Sequence, residues 1–468
     1  MTDPPDATGP TAPPTGTPSG AAPGVPADLD PAKVVRSKAY LSALIFAGIL
    51  GVPISAMAYG FLSLVSRIQT FVFTDLPANV IGGSTPPAWW PVPWLVLCGV
   101  LTGLTIQYLP GNAGHSPAFG FKAGGGAPIG RDLTGVFLAA LSTLAFGAVL
   151  GPEAPLIALG GGLAALAVHL AKKDTPPLAL TVMASAGSFA AVSTLLGSPI
   201  LGAFLIMEAA GIGGAMLTLV ALPGLLASGI GALMFVGLDS FTGLGGFSLA
   251  LTSVPPKVEP TIATMAWAAA MGLAGALLGW MIRWVGLSLR PTVHRSRVLV
   301  TAGLGLLIGL LAMAYQLISD KSFTDVLFSG QDELPSLVTH AADYSVPILL
   351  LLVACKSLAY GLSLSAFRGG PVFPSMYIGA ALGIAASGLP GMDLGPAIGM
   401  GIGAMCATML RLPLTSTLLA TLLLGSDGVS ITPQVIMAVV VSYIITMILP
   451  TPGPKEPELL PPGTRAAG

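Results

Sequence analysis

Between Asp132 and Asp239 the only acidic side chains outside the Lys172-Lys173-Asp174 linker are Glu153 and Glu208, and both fall in otherwise uncharged runs. A carboxylate inside a hydrocarbon layer is expensive, so its presence there points to a function by default. Glu153 stands in Gly151-Pro152-Glu153-Ala154-Pro155, a segment that reads as the start of a helix. The first turn of a helix carries unpaired N–H groups and the positive end of the helix dipole, which together form a seat for an anion. A carboxylate tethered at that point can occupy the seat itself.

A second segment suggests different chemistry. Gly114-His115-Ser116-Pro117-Ala118 has the outline of a serine nucleophile motif, which makes an intramembrane serine hydrolase the alternative from another functional class. Its fifth residue is Ala rather than Gly, it does not read as a strand, and of the remaining histidines only His169 lies deep in an apolar run. No zinc-protease or phosphate-loop motif is present. Cys98, Cys355 and Cys406 stand singly in apolar segments, without the short spacing of a metal site or a disulfide framework, and read as packing residues. The expectation is no enzyme activity, no cofactor and no bound metal.

The elements that must position these residues are membrane helices. Of 468 residues, 53% are hydrophobic and only 8% charged, and the mean hydropathy is +0.85. A water-soluble surface cannot be covered with so little charge. Uncharged or nearly uncharged runs, many of spanning length, recur from Ala39 to Leu449. A net charge of −1 leaves no electrostatic footprint for nucleic acid. Residues 1–35 read as a disordered tail, 36–238 as a first membrane unit, 239–259 as a more polar connection, 260–449 as a second membrane unit and 450–468 as a polar tail. Lys33, Arg36 and Lys38 before the first span place the N-terminus in the cytoplasm by the positive-inside rule. The two units echo each other. Gly151-Pro152 and, about 44 residues later, Gly197-Ser198-Pro199 open helices in the first, while Gly370-Pro371 and Arg411-Leu412-Pro413 do so at a similar interval in the second. Spans broken by Gly and Pro near mid-membrane, arranged as a repeat, point to a transport site at the repeat interface.

In order and spacing these segments resemble the CLC chloride-channel family over nearly the whole of Ala39 to Leu449. Gly151 to Pro155 resembles its Gly-x-Glu-x-Pro signature, Gly114 to Pro117 lies where the family has its first anion-coordinating loop, and Gly369 to Pro374 resembles its Gly-x-Phe-x-Pro signature. Gly197 to Glu208 and Arg411 to Asp427 resemble its dimer-interface helices. The resemblance implies an all-α polytopic membrane protein, a CLC-type inverted repeat of tilted and broken helices, multi-pass in a bacterial inner or plasma membrane. It further implies a homodimer in the lipid bilayer with one pore per subunit for an inorganic anion, chloride in the first instance. Glu153 matches the gating glutamate: ionised, it competes with the anion for the helix starts, and protonated, it loses its charge and swings away. The anion-binding positions implied are Gly114, His115, Ser116, Gly151, Pro152, Ala154, Gly370, Val372 and Phe373.

Departures from the family pattern carry their own expectations. No serine falls in register at the first loop, and His115 is either a loop imidazole bonded to backbone or a pore-lining group. The family's coordinating tyrosine has no counterpart in Pro450-Thr451-Pro452-Gly453-Pro454, and Tyr443 reads as packing. Pro371 brings no N–H where the family has an amide donor, and Val372 replaces the usual Phe. Arg368 precedes this loop in place of a small residue; it either replaces the lost donors as a fixed attractor for anions or snorkels to an interface. Lys356 matches a basic family position that adds to the inner field. Ala209 stands where proton-exchanging members carry a second glutamate, and Glu208 reads as a structural carboxylate. These features favour a channel or uncoupled transporter. Proton-coupled anion exchange is the alternative, and a chain that keeps the fold but binds nothing is a third reading.

Overall fold

Gly and Pro decide where this chain stops being helical. The computed structural model describes residues 31–82, 86–121, 128–172, 174–242, 260–425 and 428–450, and the regular elements among them are helices. The first half runs α1 (Pro31–Val35), α2 (Lys38–Thr70), α3 (Leu76–Ile81), α4 (Pro91–Tyr108), α5 (Arg131–Ala145), α6 (Glu153–Ala171), α7 (Pro177–Leu196), α8 (Pro199–Ala209) and α9 (Ala215–Thr242). The second runs α10 (Ile262–Ser288), α11 (Arg290–Arg295), α12 (Arg297–Ser319), α13 (Glu333–Thr339), α14 (Val346–Ala366), α15 (Val372–Ala386), α16 (Leu394–Leu410), α17 (Pro413–Leu423) and α18 (Gly428–Ile448). Nine segments among the described residues are long and apolar enough to cross a membrane. Their outward side chains are Leu, Ile and Val, such as Ile45, Leu233, Leu299 and Ile444, as a lipid-facing surface requires.

The two halves correspond element by element. α6 and α15 each follow a Gly-Pro pair, and α8 and α17 are each 11 residues long with Pro at the start. The residue ending α7, Gly197, and the residue ending α16, Arg411, are both left-handed, with φ of 61° and 58°. Within each half the helices approach closely through small residues, the usual device where lipid removes any hydrophobic drive between helices. A Cβ on Gly160 would strike the Gly187 carbonyl of α7, and one on Gly379 the Gly401 carbonyl of α16.

Packing fixes the direction of the spans. Gly103 of α4 meets Val298 of α12 while Gly309 of α12 meets Val92 of α4, so the two helices are antiparallel. The end of α2 packs with the chain after α12, where the rings of Phe73 and Phe328 lie 5.0 Å apart. One face of the molecule, here the proximal face, therefore carries the start of α2, the end of α4 and the start of α12. The distal face carries residues 320–345.

Two expectations shift at the edges. The tail reading extended to residue 35, yet Pro31–Val35 forms α1, and α9 continues to Thr242 into the segment read as a connection. The rest of both tails and of the connection lies outside the described residues.

Candidate functional site

The backbone at the two Gly-Pro breaks determines the site. Gly151 and Gly370 pair as a single antiparallel bridge: the Gly151 N–H donates to the Gly370 carbonyl at 2.8 Å, and the Gly370 N–H donates back to the Gly151 carbonyl. Pro152 and Pro371 follow as the caps of α6 and α15, with nearly equal dihedrals of −80°, −3° and −95°, −4°. Neither proline has an N–H. The first free amides are then those of Glu153 and Ala154 on α6 and of Val372 and Phe373 on α15, because the Leu156 N–H is already satisfied by the Pro152 carbonyl. Two helix starts, joined at their glycines, thus present amides and the positive ends of their dipoles to one point.

The Glu153 carboxylate occupies that point. Its Oε1 accepts from the Phe373 N–H at 2.9 Å, and the amides of Val372 and of Glu153 itself face the same group. The residue is fully buried, and Oε2 has no hydrogen-bond partner among the described residues. Gly151 and Gly370 are required by this arrangement, since a Cβ on either would overlap the carboxylate. The missing amide of Pro371 does not empty the site: the donor is the Phe373 amide, two residues further on. Beneath it, the Tyr360 hydroxyl of α14 and the Ser375 hydroxyl both donate to the Pro371 carbonyl, at 3.2 and 2.6 Å.

A distal cleft of about 40 Å³ reaches Pro152, room for a few waters. Its walls include Ser66, Gln69, Leu150, Ser329, Gln331 and Asp332. Beside it, Lys356 of α14 is fully buried, donating to the carbonyls of Asp325 at 2.8 Å and Leu327 at 2.9 Å, with the Tyr377 ring 4.2 Å away. Tyr315 and Tyr344 donate to Oδ2 of Asp325 at 3.2 and 3.0 Å. Lys356, expected from sequence to add to an inner field, ties down the distal turn after α12 with its ammonium. In the same region, burial pushes Asp325 and Glu333 above the ordinary carboxylate range, Glu333 to about 8. The nearby Lys356 ammonium opposes that rise at both.

The proximal mouth is cationic. The Arg290 guanidinium lies 4.0 Å above the Phe119 ring, Arg297 donates to the Ile106 carbonyl at 3.3 Å, and His294 sits between the two arginines. Arg368 joins them: its backbone N–H reaches Thr143 Oγ1 at 3.3 Å, and its guanidinium lies in the field of Arg297 and Arg290. The Gly114–Pro117 loop packs here. His115 is exposed with its ring 6.3 Å from Phe119, whereas the Ser116 hydroxyl is buried without a hydrogen-bond partner. The site residues expected from sequence therefore separate into two groups. Gly151, Pro152, Glu153, Ala154, Gly370, Val372 and Phe373 meet at the helix starts, while Gly114, His115, Ser116 and Arg368 line the proximal mouth. His169, the histidine expected deep in an apolar run, is exposed in the last turn of α6.

A family model described as voltage gated chloride channel matches residues 99–447. The chain belongs to this family. Among its relatives are YfeO of Salmonella choleraesuis (strain SC-B67), named as an ion-transport protein, and YfeO of Salmonella paratyphi A (strain ATCC 9150 / SARB42). Each is 30% identical over 357 residues, covering 75% of this chain and 81% of the relative. Two solved CLC structures share the fold. A slow cyanobacterial Cl⁻/H⁺ antiporter superposes with a TM-score of 0.69 at 17% identity over 87% of this chain and 95% of its own. A CLC-type fluoride/proton antiporter does so with a TM-score of 0.66 at 18% identity over 88% and 96%. The chain is thus an integral, multi-pass CLC protein built on the inverted repeat of tilted and broken helices, and anion transport is the family's activity.

Sequence reasoning missed two side chains of this CLC core. Tyr360 falls in an apolar run where a tyrosine has no distinguishing spacing, and Arg283 follows an uncharged stretch as if at its boundary, although α10 continues to Ser288. Glu208 behaves as a structural carboxylate: it accepts from the N–H groups of Leu414 at 3.0 Å and Thr415 at 2.7 Å, and from the Thr415 hydroxyl.

Proposed function

We propose that this chain passes a small inorganic anion, chloride in the first instance, through a pore in each subunit of a homodimer, and that Glu153 gates it. The observation that carries this reading is the Glu153 carboxylate seated among the amides of two joined helix starts. A seat built from N–H groups and dipole ends takes any small anion, and the tethered carboxylate is its resident competitor. Protonation removes the charge and releases the seat, so anion passage rises with acidity. The cationic proximal mouth with Arg368 draws anions toward it. Exposed apolar side chains on α8, α17 and α18, such as Phe204, Leu414 and Ile444, support pairing of two subunits or contact with lipid there. The basic residues before α2 support a cytoplasmic N-terminus in a bacterial plasma membrane.

Uncoupled passage is favoured because Ala209, at the end of α8, offers no carboxylate for a second proton site. The coupled reading is supported by the two solved neighbours, a Cl⁻/H⁺ antiporter and a fluoride/proton antiporter. Reversal potentials under an imposed proton gradient separate the two: a potential that follows the anion gradient alone supports passive passage. Hydrolysis is disfavoured, since among the described residues no base is hydrogen-bonded to the Ser116 hydroxyl. The deciding test is anion efflux from liposomes across pH for wild type and Glu153→Gln. Wild-type efflux is expected to rise as pH falls, and the variant to run at the acid rate at every pH. A variant with unaltered pH dependence overturns the gate assignment.

A further inference from the structure

Two guanidinium groups within the second repeat have no counter-charge among the described residues. Arg283 of α10 is only 6% exposed, and its Nε has no hydrogen-bond partner. Arg411, which ends α16, is partly buried and its Nε is unpartnered, and neither guanidinium bonds to any described residue. The charge of Arg411 acts on Arg283, and no carboxylate among the described residues does. Like charges placed together in a low-dielectric interior are strongly unfavourable unless something of opposite sign lies between them.

The helices form a compartment around this pair. Gly279, Arg283, Gly286 and Arg290 recur at helical spacing on one face of α10 and its continuation. A Cβ on Gly279 would meet Thr408 of α16, and one on Gly286 would meet Leu364 and the Gly361 carbonyl of α14. Arg283 therefore rises between α14 and α16. The Tyr360 phenol, which donates to the Pro371 carbonyl, feels the charge of both Arg283 and Glu153. Arg283 is thus one side-chain layer from the amide seat. Arg283 is two helical turns, about 10 Å, from the Arg290 of the proximal mouth. Backbone geometry adds an independent sign. Arg411 holds a left-handed φ of 58° where its repeat counterpart is Gly197, so a strained arginine stands where glycine would be relaxed.

We propose that Arg283 and Arg411 hold a small monovalent inorganic anion between α10, α14 and α16, a second seat on the proximal side of the Glu153 ring. The proposal rests on the reading of the chain as an anion conductor, and supplies the missing opposite charge from the permeating ion itself. Guanidinium N–H groups are always protonated and always donors, so this seat, unlike the Glu153 ring, has no proton-controlled competitor.

Crystals of the full-length protein soaked in bromide test it by anomalous scattering. The expected result is a bromide within hydrogen-bond reach of the Arg283 and Arg411 guanidinium groups, in addition to any at the helix starts. Bromide at the helix starts alone, or a carboxylate of Glu456 or Glu458 lying between the arginines, overturns the second seat and leaves anion conduction standing. Bromide nowhere counts against both. Bromide titration by calorimetry adds a solution measurement. Arg283→Gln and Arg411→Gly are each expected to weaken one class of site at least tenfold while the other is unchanged, and Arg411→Gly installs the residue that the first repeat tolerates at this position. Two unaltered classes in both variants overturn the proposal.

Discussion

The Glu153 carboxylate sits where a side chain on Gly370 would have to be. Gly370→Ala therefore forces the two groups apart, and the cheapest relief is a rotation of Glu153 out of its seat. We expect the variant to lose most of the pH dependence of efflux, as Glu153→Gln does, and to lose about 1–3 kcal/mol of stability in detergent melts from overpacking. Retained pH dependence would mean that the carboxylate has room elsewhere in the ring and gates from there. Glu153 was legible in the sequence because an isolated acid in an uncharged run, framed by Gly and Pro, has few structural explanations. The partner amides were legible only in part, since Pro371 suggested a lost donor and the sequence cannot show that the Phe373 amide faces the carboxylate. Arg283 was hidden by its place at the edge of an apolar run, where a charge ordinarily marks the water interface.

Among the elements, α17 shows how a short helix inside the membrane keeps its start satisfied. Its capping position is Leu412, which has no side chain to offer, and the cap comes instead from Glu208 at the end of α8. Glu208→Gln removes the charge and one acceptor geometry, and should cost about 1–2 kcal/mol of stability, the range for loss of a helix cap. Efflux per folded molecule should stay at the wild-type level; a changed pH profile instead would give Glu208 a part in proton movement. No local pattern could reveal this contact, because 206 residues separate the cap from the helix it serves. The repeat itself was readable from Gly-Pro spacing, as the paired openings of α6 with α15 and α8 with α17 confirm. The stretch from Leu133 to Pro152 carries no charge to mark a break, yet α5 stops at Ala145, and Phe146 to Pro152 form the approach to the glycine bridge.

Taken whole, the molecule keeps unusual acids on its distal side. Burial raises Glu333 to about 8, above the ordinary value of about 4.3. In the pH range between those values the folded chain retains a proton that the unfolded chain has released, so the stability this confers is complete below about pH 4 and is lost as pH rises through about 8. Asp325, also raised by burial, acts in the same sense. Melting temperatures in detergent should fall between about pH 4 and 8, and Glu333→Gln should flatten that decline; an equally steep decline in the variant would assign it to other groups. Membrane class, repeat and family were all legible at this scale because hydropathy and Gly-Pro punctuation act over the full length, whereas distal and proximal sidedness emerged only from which helices touch. The bridge between Gly151 and Gly370 bears on how such a body can work at all. Two mutual backbone bonds rivet one half of the chain to the other at the proposed anion seat, so rocking of the halves around that point would have to break them. Under the proposed gating, access then changes through the swing of a single carboxyl arm, and spin labels across the rivet are expected to report one constant separation whether the seat is open or closed.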